Sequence, residues 1–234
     1  IFAPEFRVKG MLPELWDATT GSIRKLPSFA VGDNGGTVVS LKLDKYESAF
    51  IVFRQKAVSI PSAVDITLNY PPTKTLMDIN TPWSVTFQSE RRGPVEPMIM
   101  DELQDLTQFE QFDVKHYSGL LWYRTEFTLD EIPPGRVFVN LGEFWSMAKV
   151  RINGKYAGGL WTPPYRLDIT DYVIAGRNGI EIEISTTWKN RLIGDLNLPG
   201  PERLTWLTHQ PWRADSSLQP SGLRGPVTIE NIVY

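Results

Sequence analysis

The sequence predicts an all-β fold, and three features of its 234 residues support that class. The 18 glycines and 18 prolines are scattered along the chain and divide it into short segments, the spacing expected of strands joined by turns. Several of these segments alternate apolar and polar residues, as half-buried strands do. Neither a long helical period nor an internal repeat is present, so helical bundles, solenoids and propellers are not indicated.

The predicted strands fall into two groups, and the first group is short. It consists of residues 5–9, 36–43 and 49–54. Beyond these strands the sequence becomes polar and rich in proline, with one further strand expected at residues 64–68. The expected organisation is a small or truncated β-domain at residues 1–70, a linker at 71–75 and a complete domain at 76–234.

The second group has the stronger alternation. Its predicted strands are residues 121–129, 136–141, 148–153 and 179–185. In the last of these, Ile180, Ile182 and Ile184 alternate with two glutamates, which is typical of an antiparallel strand with one buried face. The core is expected to include Trp122, Phe127, Val139, Leu141, Val150 and Ile152. Leu121 and Tyr123 are expected to face the other way.

Two local patterns complete the predicted second domain. Residues 98–112 carry apolar residues at a period near three, which indicates one or two helical turns packed on a sheet. Asn153 and Gly154 stand between two alternating segments. That pair predicts a type I′ hairpin, because both central residues of this turn take a positive φ.

The composition excludes several classes of function. Twenty-four basic and 27 acidic residues give a net charge of -3, so no positive field attracts nucleic acid or an anionic membrane. No apolar run approaches the ~20 residues that a membrane-spanning helix needs. The absence of cysteine excludes disulfides and thiolate chemistry. Because the chain opens at Ile1 without a signal-peptide pattern, we expect a processed chain or an excised piece.

A resemblance to known families is carried by VNLG followed by AKVRINGKYAGGLWTPPYRLDITDYVIAGRNGIEIEIS. This order of motifs resembles the sugar-binding jelly-roll domain of glycoside hydrolase family 2, one of the galactose-binding-like β-sandwiches. The flanking KHYSGLLWYRTEF and TTWKNRLIGD are similar to the C-terminal region of the α-L-rhamnosidase-like proteins of glycoside hydrolase family 106. PELWDATTG and ESAFIVFR resemble the small β-domain that precedes that sandwich. The resemblance also implies a bacterial protein with a periplasmic or secreted location.

The resemblance places catalysis outside this chain. In such enzymes the catalytic carboxylates lie on a (β/α)₈ barrel, which needs ~200–250 residues of alternating strand and helix. That alternation is missing here, so the barrel of a parent chain and a plant-type or other complex glycan are the implied partners. Asp101, Glu102 and Asp105 lie close together in sequence, but solvated turn residues explain them more simply than a catalytic pair. No catalytic residue is therefore assigned.

Sugar binding is the chemistry that the aromatic and polar residues of the second domain suggest. A ring can stack on the apolar face of a pyranose while amide, carboxylate or guanidinium groups bond its hydroxyls. The candidates are Trp161, Tyr165, Trp188, Asn190, Arg191 and Asp195. In the alternative interpretation, Trp161 and Trp188 cover one end of the sandwich and Tyr165 belongs to the core. Arg191 would then pair with Asp195 to fix a loop.

Two further glycan-binding candidates, His209 and Trp212, lie in a long irregular stretch before the last strand. Long loops in compact domains often carry function. The alternative is that His209, like His116, is a hydrogen-bonded structural residue. Two histidines are too few for a histidine-rich metal site, and no cofactor is expected. A structural calcium ion held by loop oxygens stays open, although no EF-hand spacing is present.

These observations lead to one hypothesis and two rivals. The favoured interpretation is a non-catalytic accessory region of a glycoside hydrolase, packed against a catalytic barrel and contributing residues to the rim of its glycan site. The first rival is an independent carbohydrate-binding module. The second is a purely structural β-sandwich.

Overall fold

The protein divides into two compact units. Its computed structural model describes residues 1–60, 64–88, 90 and 93–234. Unit 1 comprises Ile1–Lys74 with Ile232–Tyr234, and unit 2 comprises Thr75–Asn231. The second domain was expected to span residues 76–234, but unit 2 ends at Asn231. The last residues belong to unit 1, where the Arg24 guanidinium lies 5.2 Å from the centroid of the Tyr234 ring, within cation–π range.

Unit 1 is built from short antiparallel strands. Among its described residues the elements are β1 (Glu5–Phe6), β2 (Met11–Asp17), β3 (Ile23–Lys25), β4 (Phe29–Val31), β5 (Thr37–Val39), β6 (Ala49–Lys56) and α1 (Ile66–Asn69). They form two three-stranded sheets, ordered β1-β5-β4 and β3-β2-β6. The core consists of Leu15, Leu26, Phe29, Val39 and Leu41.

Helix α1 stands where the sequence predicted a strand at residues 64–68, so that prediction is wrong. The Asp65 side chain accepts a hydrogen bond from the backbone N–H of Thr67 and so caps the first turn. An aspartate at this position satisfies a donor that the helix itself leaves unbonded. The cap therefore outweighs the weak alternation of the segment.

Unit 2 holds the larger set of strands. Within the described residues its elements are β7 (Lys74–Asp78), β8 (Trp83–Phe87), β9 (Met98–Met100), α2 (Phe112–Lys115), β10 (Leu120–Leu129), β11 (Arg136–Asn140), β12 (Glu143–Phe144), β13 (Met147–Ile152), β14 (Lys155–Leu160), β15 (Arg166–Asp168), β16 (Gly176–Ser185), α3 (Lys189–Leu196), β17 (Leu223–Gly225) and β18 (Thr228–Ile232). Single 3₁₀ turns lie at Leu106–Gln108 and Gly200–Glu202. The helical turns expected in residues 98–112 thus reduce to one 3₁₀ turn and the start of α2.

The strands of unit 2 form an all-β sandwich, which confirms the predicted fold class. A six-stranded sheet has the order β14-β13-β16-β10-β8-β9, and a four-stranded sheet has the order β15-β11-β18-β7. Strands β12 and β17 pair separately. Fully buried residues from both large sheets, such as Val139 on β11 and Ile182 on β16, belong to one apolar cluster. This shared core joins the two layers.

The facing of β10 differs from the prediction. Leu121 and Tyr123 are buried, whereas Trp122 lies on the outer face and its Nε1–H donates to the Glu183 carboxylate at 3.3 Å. Side chains alternate along a strand, so Trp122 cannot share a face with the buried Phe127. The other residues expected in the core are buried as predicted. They are Phe127, Val139, Leu141, Val150 and Ile152.

The hairpin between β13 and β14 is confirmed. Asn153 and Gly154 have φ values of 51° and 77°, as a type I′ turn requires. The Asn153 side chain also accepts a hydrogen bond from the Gly179 N–H and donates one to the Tyr172 carbonyl. The turn is therefore tied to both strand β16 and the connection that precedes it. Within the described part of the chain, no helix is long and apolar enough to cross a membrane.

The burial of Ile182 gives a test of the sandwich. We expect Ile182→Asp to lower the free energy of unfolding of unit 2 by ~3–5 kcal/mol, because an unpaired carboxylate would occupy the core. Ile182→Val is the matched control and should cost only ~1 kcal/mol. Urea denaturation monitored by tryptophan fluorescence provides the measurement. Equal stabilities for the aspartate variant and the unaltered protein would show that the facing of β16 is wrong.

Candidate functional site

Helix α3 organises the region in which most of the predicted sugar-binding residues lie. The alternative interpretation of the sequence placed Arg191 and Asp195 in a loop, but Lys189–Leu196 is helical and six of its residues are buried. Trp188, Leu192 and Leu196 recur every four residues, a helical signal that was present in the sequence. The polar residues between them obscured that signal. The helix turns these polar residues inward, where they bond to other parts of unit 2.

A close contact fixes α3 against the preceding helix. At Gly194 a Cβ atom would lie 2.6 Å from the Cβ of His116, so no larger residue fits there without movement. The His116 Nδ1 lies 3.1 Å from the Phe112 carbonyl oxygen, and its ring centroid lies 4.3 Å from that of Phe112. His116 is thus a packing residue. Burial lowers the pKa of its imidazole, and the nearby Arg191 charge lowers it further.

Asp195 anchors the chain that follows α3. Its buried Oδ2 accepts hydrogen bonds from the Leu204 N–H at 2.9 Å, the Thr205 N–H at 2.7 Å and the Thr205 hydroxyl at 2.6 Å. Its Oδ1 lies 3.7 Å from Nη1 of the fully buried Arg191. The Arg191–Asp195 pair of the alternative interpretation is therefore present. It holds residues 204–205 against the helix.

Asn190 anchors a later part of the segment between α3 and β17. Its Nδ2 donates to the Gln219 carbonyl at 2.7 Å, and its Oδ1 accepts from the Gln219 N–H at 2.8 Å. The Thr187 hydroxyl bonds to the Gln219 side chain at 3.1 Å, and the Asn197 side chain donates to the Ala214 carbonyl at 3.2 Å. The irregular segment between α3 and β17 is thus fastened to α3 and its flanking residues at several points.

The remaining candidates lie nearer the surface. Trp161 and Trp188 are 65% and 45% exposed, respectively. His209 is exposed and Trp212 is half-buried. Exposed rings offer a stacking surface, so these positions keep the accessibility that the sugar-binding hypothesis needs.

Tyr165 has a structural environment. It packs against the apolar core, with its ring centroid 4.2 Å from that of Phe144. Its carbonyl oxygen accepts a hydrogen bond from the Leu141 N–H at 2.9 Å. These contacts match the alternative interpretation, in which Tyr165 belongs to the core.

The strand register brings the exposed rings to one end of the six-stranded sheet. Ser185, the last residue of β16, pairs with Leu120 on β10 and with Met147 on β13. One position along β13, Ala148 pairs with Leu160, the last residue of β14. Neighbouring strands lie ~4.8 Å apart, so the segments that follow β14 and β16 and the one that precedes β13 leave the sheet side by side.

Four exposed tryptophans lie on these segments or on the chain fastened to them. Trp161 follows β14, Trp188 follows β16 and Trp145 precedes β13, while Trp206 follows Thr205, which Asp195 holds. We call this group, Trp145, Trp161, Trp188 and Trp206, the aromatic end. The sequence analysis missed Trp145 and Trp206. Their signal was a large ring in a segment rich in turn residues, which predicts exposure only weakly.

The aromatic end can stack on flat apolar groups, whereas the polar candidates beneath it are engaged within the protein. Asn190, Arg191 and Asp195 come together on α3 and bond to backbone or to one another. Trp161 lies on a different connection at the same end of the sheet. Glycan binding by these residues stays a prediction.

The carboxylates of the outer sheet face are arranged in ion pairs. Glu181 lies 2.6 Å from Arg124 and 3.5 Å from Arg151, and Glu183 lies 2.9 Å from Lys149. A shallow depression of about 560 Å³ is lined by several of these residues. In the described part of the chain, no group of three or more histidine, aspartate and glutamate residues could hold a metal ion.

Comparison with known proteins relates the chain to carbohydrate-active enzymes. No family model matches it. The solved structure of a rhamnosidase from Novosphingobium sp. PP1Y is 35% identical, has a TM-score of 0.87 and matches 97% of this chain and 21% of that chain. The chain is therefore a glycoside hydrolase-related β-region. A curated protein of Formosa agariphila, provisionally named a β-glucuronidase, is 32% identical over 177 residues, which are 64% of this chain and 15% of that protein. This glycoside hydrolase-related region thus spans about a fifth or less of either relative.

The Asp195 contacts lead to a stability test. We expect Asp195→Ala to lower the free energy of unfolding by ~3–5 kcal/mol, because Arg191 would lose its buried carboxylate and residues 204–205 their acceptor. The matched control is Asp215→Ala, since that carboxylate faces solvent and pairs with an exposed Arg213. Chemical denaturation measures both variants. Equal stabilities for the two would contradict the anchoring role.

The pKa of His116 sets a pH dependence. In the unfolded chain this imidazole titrates near its ordinary pKa of 6.5, and burial lowers that pKa in the folded protein. The unfolded state therefore binds more protons, so stability should fall as the pH drops below about 6.5. Thermal unfolding between pH 7.5 and 5.5, on the order of one unit either side of that pKa, would show the slope. His116→Gln should flatten it, whereas His209→Gln, at an exposed site, should not.

Proposed function

We propose that this chain is the non-catalytic C-terminal accessory region of a bacterial glycoside hydrolase of the α-L-rhamnosidase type, family 106, with a sandwich of the family 2 sugar-binding kind. The match to the rhamnosidase supports this assignment most directly. That similarity extends over 97% of this chain but only 21% of the longer enzyme. An enzyme of that size has ample length for a separate catalytic barrel.

The chemistry of the described carboxylates supports a non-catalytic role. Glycoside hydrolysis uses two carboxyl groups that flank one bond, with one of them able to donate a proton. Here Glu181 and Glu183 are neutralised by basic neighbours on an open sheet face, and Asp195 is buried among donors. The partner that we propose to supply the catalytic pair is the barrel domain of the parent chain.

Trp161 and Trp188 of the aromatic end support the second part of the proposal, a contribution to the rim of a glycan site. Trp161 and Trp188 present rings to solvent, and a complex, plant-type glycan offers pyranose faces that such rings can cover. The same exposed rings favour the independent carbohydrate-binding module as a second candidate function. A periplasmic or secreted location also belongs to this proposal, because the resemblance to these glycoside hydrolase families implies it.

An activity assay tests the accessory role. The isolated chain should hydrolyse neither an aryl α-L-rhamnoside nor an aryl β-D-glucuronide, because Glu181 and Glu183 are held in ion pairs and Asp195 is buried among hydrogen-bond donors. The longer enzyme that contains this chain is the positive control. Turnover by a highly purified chain, abolished by one carboxylate change such as Glu181→Gln, would overturn the proposal.

A glycan array separates the independent module from the accessory region. An accessory domain with an open, shallow site should bind free glycans at about millimolar strength or not at all, because each hydroxyl exchanges a water hydrogen bond for a protein one at little net gain. Micromolar binding by the chain that Trp161→Ala weakens would favour the independent module. Tyr156→Ala, which removes an exposed ring on the hairpin strand β14, is the matched control.

A further inference from the structure

The aromatic end is unusual in how much ring surface it leaves open. Trp145, Trp161, Trp188 and Trp206 are 48%, 65%, 45% and 81% exposed, and they make up four of the eight tryptophans in the sequence. Isolated apolar residues are common on protein surfaces, but several large rings gathered at one end of a domain mark an interaction site.

The geometry points to the part of the aromatic end around Trp145 and Trp206 as the surface on which the rest of the parent hydrolase docks, beside the Trp161 and Trp188 rings that we propose for the glycan rim. This inference rests on the proposed accessory function. It names the partner for that end of the sandwich: an apolar protein surface contributed by the catalytic part of the same polypeptide.

The composition of the surface favours a protein over a sugar. Close to Trp145 and Trp206 in the chain lie exposed aliphatic side chains, Met147, Leu204 and Leu207. Tryptophan and methionine are enriched at the centres of protein interfaces, whereas sugar sites pair their rings with groups that bond hydroxyls. On α3, the Asn190 amide and the Asp195 carboxylate are engaged in internal hydrogen bonds rather than directed to a sugar hydroxyl.

The length of the relatives identifies the occupant. The rhamnosidase that matches 97% of this chain is about five times as long as the matched region, so the same fold is present there within a much larger polypeptide. A domain tethered in one chain meets its neighbour at a high effective concentration, and a modest apolar face then suffices to hold the two together. The parent polypeptide is therefore the partner to which we commit.

The aromatic end is also held in place in advance. The Trp206 segment begins at residues 204–205, which Asp195 fixes through three hydrogen bonds. Trp188 precedes a helix whose Gly194 leaves no space between α3 and His116. Backbone segments that are fixed before association lose less conformational entropy when the rings they carry are covered, which favours a docking surface.

Hydroxyl-radical footprinting of the intact parent enzyme tests this inference. In the 234-residue chain alone the four rings should be modified readily. In the parent enzyme the modification rates of Trp145 and Trp206 should fall roughly fivefold or more, as expected if rings that are about half exposed or more become buried. Tyr156, 51% exposed on β14, is the internal control and should react equally in both. The assay needs no variant, so misfolding cannot confuse it.

Three other outcomes would overturn the docking surface. Unchanged rates in the parent enzyme would show that the rings stay open. Protection of Trp145 and Trp206 in the isolated chain by added oligosaccharide would assign these rings to glycan, and protection that rises with chain concentration would assign them to a second copy. Different results would contradict the accessory function itself: hydrolysis by the isolated chain, or a reading frame that encodes this chain alone. Protection in the parent enzyme together with an inactive chain supports both proposals.

A substitution adds a second measurement. Trp206→Ser should leave the melting temperature of the isolated chain unchanged, because the ring lies in solvent there. In the parent enzyme the same change should lower the melting temperature of the transition that includes this region. Phe50→Ser, at a 63% exposed ring in unit 1, is the matched control. Equal effects of Trp206→Ser in the two proteins would contradict the inference.

Discussion

The buried carboxylate of Asp195 is the interaction on which the organisation of this end of unit 2 depends. A charge removed from water is costly unless donors surround it, and here three donors from residues 204–205 and the Arg191 guanidinium do so. Because the three hydrogen-bond donors of residues 204–205 lie outside the helix that carries Asp195, satisfying the charge also decides the path of the polypeptide. A segment with little regular structure acquires a definite conformation in this way.

The strands were largely predictable because one physical rule governs them. Alternation of apolar and polar residues identified β10, β11, β13 and β16, and the Asn153-Gly154 pair identified the hairpin. The rule failed where size was mistaken for burial. Trp122 is the largest residue of β10 and yet lies on the outer face, where its indole N–H meets Glu183. Successive residues of a strand face opposite sides, so the buried Leu121 and Tyr123 place Trp122 on the outer face. This alternation predicts the facing of a residue better than the size of its ring does.

The candidate site was less predictable, since it depends on which polar residues are buried. In sequence, Asn190, Arg191 and Asp195 look like ligands for a sugar, because amide, guanidinium and carboxylate groups serve that purpose in many proteins. The folded chain uses the same groups to bond its own backbone. Burial is decided by contacts with residues far away in sequence, such as Gln219 for Asn190, and a single sequence does not record those pairings. The exposure of Trp145 and Trp206 was not predicted, because large apolar residues are ordinarily expected in a core.

The return of Ile232–Tyr234 to unit 1 has a consequence for the order of folding. Unit 2 is an insertion within unit 1, and the Arg24 guanidinium lies near both Tyr70 and Tyr234, so one cluster joins opposite ends of the sequence. During synthesis, this cluster stays incomplete until all of unit 2 has emerged from the ribosome. Contacts of such long sequence separation form slowly, because the intervening chain has to be ordered first. Unit 1, most of whose residues are made before those of unit 2, therefore completes this cluster only after the inserted sandwich has been synthesised.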